Sequence, residues 1–236
     1  MKRAYLIACG LVLVASEARA HFALRAPPAY SVQDGDGQPE KSAPCGQADP
    51  GIPVMPTHAV TSFHSGDTIT VSIDERIFHP GHYRVALASD QASLPADPTV
   101  TPDSSSDCGS AQIQTSATLG VLVDNMLPHT SPFTAPQSFQ VTLPAGMTCT
   151  SCTLQVIEFM SDHPLNFPGG CFYHHCAQIS VVPPGTPLPD AGVDTGTPGS
   201  SSGGCNTGHG VGGLAVLAAL GLFAWPRRPG RRAARA

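Results

Sequence analysis

The sequence predicts an all-β fold, an antiparallel immunoglobulin/fibronectin-like β-sandwich with long loops and stabilising disulfide bonds. Three observations predict it. Short segments with alternating or β-branched residues recur along residues 21–184, no stretch keeps a helical period for three turns, and six cysteines fall in the same region. The segments read THAVTSF, DTITVSI, HYRVALA, QSFQVTL, CTLQVIEFM and CAQISVV. About six to eight short strands in about 160 residues suit a sandwich.

The first twenty residues have the pattern of an export signal. Two basic residues precede an apolar stretch over residues 4–15, and the sequence ARA at 18–20 is a small-x-small cleavage site. Cleavage after Ala20 makes His21 the new N-terminus. The alternatives are a membrane anchor or a cut one or two residues away, although the apolar run is short for a membrane span.

The C-terminal residues have the pattern of a second targeting signal. Residues 185–204 are a linker rich in Pro, Gly, Ser and Thr, which cannot bury enough apolar surface to fold. Residues 205–236 contain a short apolar segment, predicted to be helical, and an Arg-rich end that stays on the inner side of the membrane. This tail resembles the C-terminal sorting tails of myxobacterial surface proteins, which implies processing and anchoring at Cys205 by a sorting protease. A plain single-span anchor is the alternative.

Together the two ends predict export through the inner membrane. The protein is then either anchored at the cell surface, on the outer membrane, or released outside the cell.

The charge of the predicted domain argues against nucleic acid as a partner. Residues 21–184 hold four basic and fourteen acidic residues, a formal charge of −10, because eight of the twelve Lys and Arg residues lie outside this range. A neutral ligand or a cation fits better. The chain shows no nucleotide-binding loop, HExxH sequence or Ser-His-Asp arrangement, so nothing favours a kinase or a hydrolase.

The cysteines of the domain predict three disulfides. Their even number in an exported domain favours full pairing, and fifteen connectivities are possible. The alternative is a zinc site at the CTSC sequence, which lacks a second pair at suitable spacing. The six cysteines are Cys45, Cys108, Cys149, Cys152, Cys171 and Cys176.

Histidine is the informative residue type here. A mature N-terminal histidine offers both its amine and its ring nitrogen near neutral pH, and one further imidazole completes a three-nitrogen arrangement that suits copper. His21 would be that residue. Nine of the ten histidines lie in the domain: His21, His58, His64, His79, His82, His129, His163, His174 and His175.

The segment IFHPGHYRVALAS supplies the candidate for the third nitrogen. In a strand that starts at His82, alternation places Tyr83, Val85 and Leu87 toward the core and His82 outward. His79 precedes this strand in a Pro-Gly turn, where its side chain reaches the edge of the sandwich. His79 is therefore the predicted partner of His21.

Three segments resemble the lytic polysaccharide monooxygenases. They are His21 after the export signal, HPGHYRVALA from His79, and CFYHHCAQISV from Cys171. The resemblance covers residues 21–182 in order and is firm at these three segments. It implies one copper ion held by His21 and His79, with Tyr173 as the axial residue.

The resemblance also implies a reaction, partners and a disulfide. The reaction is copper-dependent oxidative cleavage of a polysaccharide such as chitin or cellulose, with electrons from an external donor. The copper site would be flat and exposed, and the protein is expected to act as a monomer. The segment APCG around Cys45 is similar to an early family segment, which implies a bond from Cys45 to Cys176.

Two features depart from the family. Many members carry Gln or Glu two positions before the axial aromatic residue, where this chain has Cys171. The task of tuning the site would then pass to Gln155, Glu158 or His163. The domain also has no Trp and few Tyr with which to grip a crystalline polymer.

Alternatives remain for individual residues. Tyr173 has a second interpretation as a core tyrosine with a backbone partner. His174 and His175 are predicted to be exposed or to contact the ligands rather than to be ligands. The remaining loop or surface histidines are His58, His64 and His129.

Two other functions fit the same sequence. One is a surface copper-binding or copper-acquisition protein with the same ligands and no oxygenase activity. The other is a carbohydrate-binding surface module in which His21 has no special role.

Overall fold

The computed structural model describes residues 21–47, 51–115, 120–165 and 167–189. The predicted export signal, the predicted C-terminal tail and most of the predicted linker lie outside these residues. All described residues belong to one compact unit, Met1–Val193. Within the described ranges, no helix is long and apolar enough to cross a membrane.

The all-β prediction is confirmed, because the regular structure of the described residues consists of ten strands and one short 3-10 helix, Gln91–Ser93. All six strand-like segments of the sequence overlap strands. The strands are β1 (His21–Ala26), β2 (Val60–His64), β3 (Thr68–Ile77), β4 (Gly81–Ala88), β5 (Val100–Thr101), β6 (Ser110–Ala111), β7 (Val121–His129), β8 (Gln137–Thr142), β9 (Cys149–Met160) and β10 (Phe172–Val182).

The strands form the predicted immunoglobulin-like sandwich. A three-stranded sheet has the order β1-β3-β8, a five-stranded sheet has the order β2-β10-β9-β4-β7, and β5 pairs with β6. Among the strand pairs of the described residues, β2 and β10 are parallel, and the others are antiparallel. This one departure from the antiparallel prediction joins strands that are far apart in the chain and are therefore not bound to hairpin geometry.

The main core lies between the two sheets. Tyr83, Val85 and Leu87 of β4 are buried there, as the alternation predicts. Phe22 of β1 packs edge-on against Tyr83, with ring centroids 5.3 Å apart. Each large apolar side chain buried in this way stabilises the fold by about 1.5–3 kcal/mol.

The opposite face of the five-stranded sheet is also buried, and this corrects the prediction that His82 points outward. His82 and Arg84 lie on that face under the segment that carries β5 and β6. The Arg84 guanidinium donates to the Ala96 carbonyl at 3.1 Å. A second apolar cluster forms beneath this cover from Cys108, Ile157, Phe159, Cys171 and Phe172.

Three disulfides join the cysteines of the described residues. Cys45 bonds Cys176, the pairing that the family resemblance implied, and Cys108 bonds Cys171. The two cysteines of the CTSC sequence bond each other, so the zinc alternative is wrong. The first two bridges fasten the long segments at 27–47 and 89–115 to β10 or to the residue before it.

Candidate metal centre

His21 opens β1 and is fully buried, with 0% of its surface exposed. Its ring stacks on Tyr173, with centroids 5.4 Å apart and planes 7° apart, and its Nδ1 contacts the Glu40 carboxylate. In the full chain these two side chains pack on the ring, and the exposed site expected for the protein that begins at His21 stays a prediction. In the full chain the His21 backbone nitrogen is an amide bonded to Ala20, so it is not an amine.

Glu40 is a buried carboxylate that joins the start of β1 to β10. It accepts from the Phe22 backbone N–H at 3.2 Å and lies 3.5 Å from His175 Nε2. His175 Nε2 also donates to the Phe22 carbonyl at 2.9 Å. Burial lowers the pKa of His175 to about 4, with the hydrogen bond to Phe22 opposing the shift.

His174 and His175 are predicted to be exposed or to contact the ligands, and the first alternative is wrong, since both are fully buried. They alternate along β10. His175 faces the main core, while His174 faces the loop side, where its Nε2 lies 2.9 Å from an Asp97 carboxylate oxygen. The covered outer face of the sheet explains the burial of His174, and proximity to Phe22 and Glu40 explains that of His175.

His79 lies in the turn between β3 and β4 and is 8% exposed. Burial lowers the pKa of His79 to about 4, and nearby His163 and then His21 lower it further. Its Nδ1 is buried without a hydrogen-bond partner. His79 is thus a neutral imidazole near His21 with a ring nitrogen available to a ligand.

The Pro-Gly sequence after His79 has a steric cause. A side chain at Gly81 would place its Cβ 1.7 Å from the Phe159 carbonyl oxygen, so only glycine permits β4 to approach β9 at this point. This close pairing fixes the end of β4 immediately after His79. The turn therefore delivers the His79 side chain to the end of the sandwich where β1 begins.

The residues proposed to tune the site fall in three different places. The Gln155 amide donates to the Pro44 carbonyl at 2.8 Å on the outer face of β9. Glu158 points into the main core and accepts from the Tyr83 hydroxyl at 3.1 Å. His163 packs on His79, with ring centroids 4.6 Å apart.

Glu158 and Tyr173 are paired residues on neighbouring strands β9 and β10. Burial raises the pKa of Glu158 to about 8, and the hydrogen bond from Tyr83 opposes this shift. Tyr173 itself is fully buried and belongs to the main core. The position of the family Gln or Glu, Cys171, is occupied by a disulfide.

Three polar residues of the interior, His129, Glu75 and Glu40, were not predicted from the sequence to lie there. His129, predicted to be a loop or surface residue, lies in β7 with 5% of its side chain exposed and its Nε2 3.0 Å from Glu75 Oε1. Glu75 continues the core-facing series of Val71 and Ile73 along β3, and Glu40 lies in a Pro-rich loop. For Glu40, the one indication in the sequence is the nearby Cys45, whose predicted disulfide ties this loop to Cys176. His58 is exposed as predicted, and His64, at the end of β2, is partly exposed.

The surface beside His79 is polar with apolar edges. A cavity of about 320 Å³ is lined by acidic and serine residues together with His163. Phe167 and Leu165 follow in the same loop, and their side chains are 86% and 62% exposed. An exposed aromatic side chain thus occurs near the site, although the domain lacks Trp.

Comparisons with known proteins find a likeness among solved structures. No family model matches the chain, and no curated protein matches it. Among solved structures, the chain is similar to a lytic polysaccharide monooxygenase AA15 from Thermobia domestica in the Cu(I) state. The TM-score is 0.43 at 16% identity, over 68% of this chain and 98% of that chain. A likeness at this level does not establish a shared function.

Proposed function

We propose that this protein is a copper-dependent enzyme that cleaves polysaccharides oxidatively after removal of residues 1–20. One copper ion is held by the amine and ring of His21 and by the ring of His79. The observation that carries the proposal is the convergence of His21, His79 and Tyr173, three residues from separate parts of the chain, at one end of the sandwich. His21 and His79 are called the histidine pair below.

The donor atoms fit copper in their chemistry. His79 is neutral at physiological pH because its pKa is lowered to about 4, and its Nδ1 is buried without a partner. Imidazole nitrogens suit Cu(II), which stands highest in the divalent affinity order. Cleavage after Ala20 would add the third nitrogen, and the ring of His21, which contacts Glu40 in the full chain, would be the second ligand group.

The chain's own residues orient these ligands. Stacking on Tyr173 fixes the plane of the His21 ring, and His163 packs against the His79 ring. Glu40 holds the backbone of Phe22 and so fixes the start of β1. When bound, copper supplies the redox chemistry: an external donor reduces it, and dioxygen or peroxide then serves to remove hydrogen from a C–H bond beside a glycosidic bond.

The loop at 161–172 is the proposed contact with the polymer. Phe167 offers an exposed ring to the face of a sugar, and the acidic cavity next to His163 offers acceptors to sugar hydroxyls. The enzyme acts as a monomer, exported and held at the cell surface by a myxobacterial-type sorting tail or released from it.

The experiment incubates the processed protein with copper, a reductant and a panel of chitin, cellulose and other glycans. Mass spectrometry of the soluble fraction detects oxidised oligosaccharides, which we expect with the wild-type protein and not with H79A. The N-terminus of the same sample is sequenced and should be His21. A start elsewhere removes the amine ligand and overturns the copper site.

The panel also separates the two other functions. Tight binding of one copper without oxidised products indicates a copper carrier. Binding to a glycan that neither copper removal nor H79A changes indicates a carbohydrate-binding module.

A further inference from the structure

A second cluster of ligand-type side chains lies inside the main core, and it is called the core triad below. It consists of Glu75 on β3, His129 on β7 and Glu158 on β9. One ligand atom from each lies within 4.8 Å of those of the other two. The triad connects both sheets, because β3 belongs to the three-stranded sheet and the other two strands to the five-stranded sheet.

Each member of the triad is held by a partner at one polar atom. Glu75 Oε2 accepts from the Phe133 backbone N–H at 2.9 Å, and Glu158 Oε1 accepts from the Tyr83 hydroxyl at 3.1 Å. His129 Nδ1 donates to the Leu127 carbonyl at 2.9 Å. A histidine that binds a metal usually donates its other ring nitrogen in this way, which orients the ring and fixes the tautomer.

A second polar atom of Glu75 and of His129 faces the interior of the cluster, and a carboxylate oxygen of Glu158 lies within 4.8 Å of a ligand atom of each. Because Nδ1 donates to the Leu127 carbonyl, Nε2 is the ring nitrogen of His129 on the side of the cluster, and it lies 3.0 Å from Glu75 Oε1. Glu158 is fully buried, and its Oε2 has no hydrogen-bond partner. Two carboxyl groups and one imidazole therefore converge in the core, with one carboxyl oxygen left without a hydrogen-bond partner among the described residues.

The backbone of β7 supports this arrangement. Asn125 and Leu127 have φ angles of 55° and 50°, in the left-handed region that non-glycine residues seldom adopt. The irregularity breaks the register between β4 and β7. It also places the Leu127 carbonyl against the ring of His129 instead of in a regular ladder, so strained backbone is found where the triad is oriented.

We propose that the core triad binds a divalent transition-metal ion of the zinc class, separate from the copper of the histidine pair. Two carboxylates and a neutral imidazole carry a charge of −2, which a divalent ion neutralises inside the apolar core. Imidazole with carboxylate is a ligand set used by Zn²⁺. Calcium, which takes six to eight oxygen ligands, and magnesium, which keeps several waters, fit the closed site poorly. The ion would clamp the two sheets together.

The experiment measures zinc bound during folding, because a closed site is loaded as the core forms. The full-length protein, with its disulfides intact, is unfolded in denaturant and refolded with chelator or with excess Zn²⁺. Bound metal is then counted by mass spectrometry after desalting. We expect one tightly held zinc that is retained in H79A and that E158Q binds at least tenfold more weakly.

The two variants are matched, because each removes one ligand from one of the two clusters. Loss of that zinc in H79A, or its unchanged retention in E158Q, overturns the proposal. If E158Q does not refold, crystals of wild-type protein refolded with zinc decide the question. Anomalous scattering at the zinc edge should show a peak among Glu75, His129 and Glu158, and a map without that peak overturns the site.

Discussion

The histidine pair and the core triad are two polar clusters in one sandwich, and they are built in different ways. The histidine pair joins the first residue of β1 to a turn, and its full ligand set depends on a peptide cut. The core triad joins the middle or end of three strands and needs no processing. A site at strand ends leaves sequence patterns such as HPG, whereas a site across two sheets arises only from the packing of the strands.

The largest expected effect is a loss of stability at alkaline pH. It arises in the core triad and not in the histidine pair. In metal-free protein, Glu158 of the core triad has its pKa raised to about 8 by burial, against an ordinary value of 4.5. The folded state keeps a proton that the unfolded state loses between these values. Stability is therefore full below pH 4.5 and is lost as the pH rises through 8, by on the order of 5 kcal/mol.

E158Q should abolish this alkaline loss, because an amide does not ionise. Urea unfolding of both proteins between pH 5 and 9, with chelator present, measures it. Equal slopes in the two proteins would show that Glu158 does not titrate in this range.

The covered outer face of the five-stranded sheet shows how far sequence patterns reach. Alternation along β4 correctly predicts that Tyr83, Val85 and Leu87 face the main core. The same alternation assigns His82 to solvent, yet it is buried, with its ring against Phe159 and its Nε2 3.8 Å from Asp124 Oδ1. Local periodicity identifies the two faces of a strand, but only tertiary structure decides whether a loop covers the second face.

The candidate sites show the same limit. His21 and His79 could be singled out because a cleavage site and a Pro-Gly turn mark them. Glu75 and Glu158 lie within strands in phase with buried apolar residues, so alternation indicates that each faces the core but not which residues it meets there. His129 stands before Thr-Ser-Pro and looks like a loop residue. Nothing local indicates that the three meet between the sheets.

The next largest effect concerns the bridge beside the histidine pair. Cys45–Cys176 closes a loop with a sequence separation of 131 and holds the segment that carries Glu40. Replacing both cysteines by alanine should lower the free energy of unfolding by about 2–5 kcal/mol and weaken copper binding. Denaturant unfolding and copper titration measure the two effects.

The matched control is the double alanine variant of Cys149 and Cys152, whose sequence separation is 3. The Cys149–Cys152 disulfide closes a very short loop, so its removal should lower the free energy of unfolding by less. Zinc retention at the core triad should persist in both double variants if they fold. Weaker copper binding in the control as well would mean that the effect is global rather than local to Glu40.

A smaller pH effect on stability, opposite in sign to that of Glu158, arises from His175 near the histidine pair. Burial lowers the pKa of His175 to about 4 from its ordinary 6.5. Between these values the unfolded state binds the proton and the folded state does not. Metal-free protein should therefore lose up to about 3 kcal/mol as the pH falls from 6.5 toward 4.

H175Q should reduce this acid slope and leave the alkaline slope of Glu158 intact. The glutamine amide can still donate a hydrogen bond to the Phe22 carbonyl, as His175 does. Unfolding curves at pH 7 and pH 5 suffice. An unchanged difference between these two pH values would show that the charge of His175 does not oppose folding.

The smallest expected effect on stability is that of F167A, which tests whether the surface near the histidine pair binds the polymer. Phe167 is 86% exposed in the loop that also carries His163, so F167A should change stability by no more than about 0.5 kcal/mol. Loss of the ring should weaken binding to the glycan that the panel identifies by about tenfold, or about 1.4 kcal/mol. Copper at the histidine pair and zinc at the core triad should stay unchanged, and L165A serves as the matched control without an aromatic ring. Pull-down isotherms on the insoluble polymer measure the difference. If F167A and wild type bind alike while H79A still abolishes cleavage, the polymer is held by another part of the surface around the histidine pair.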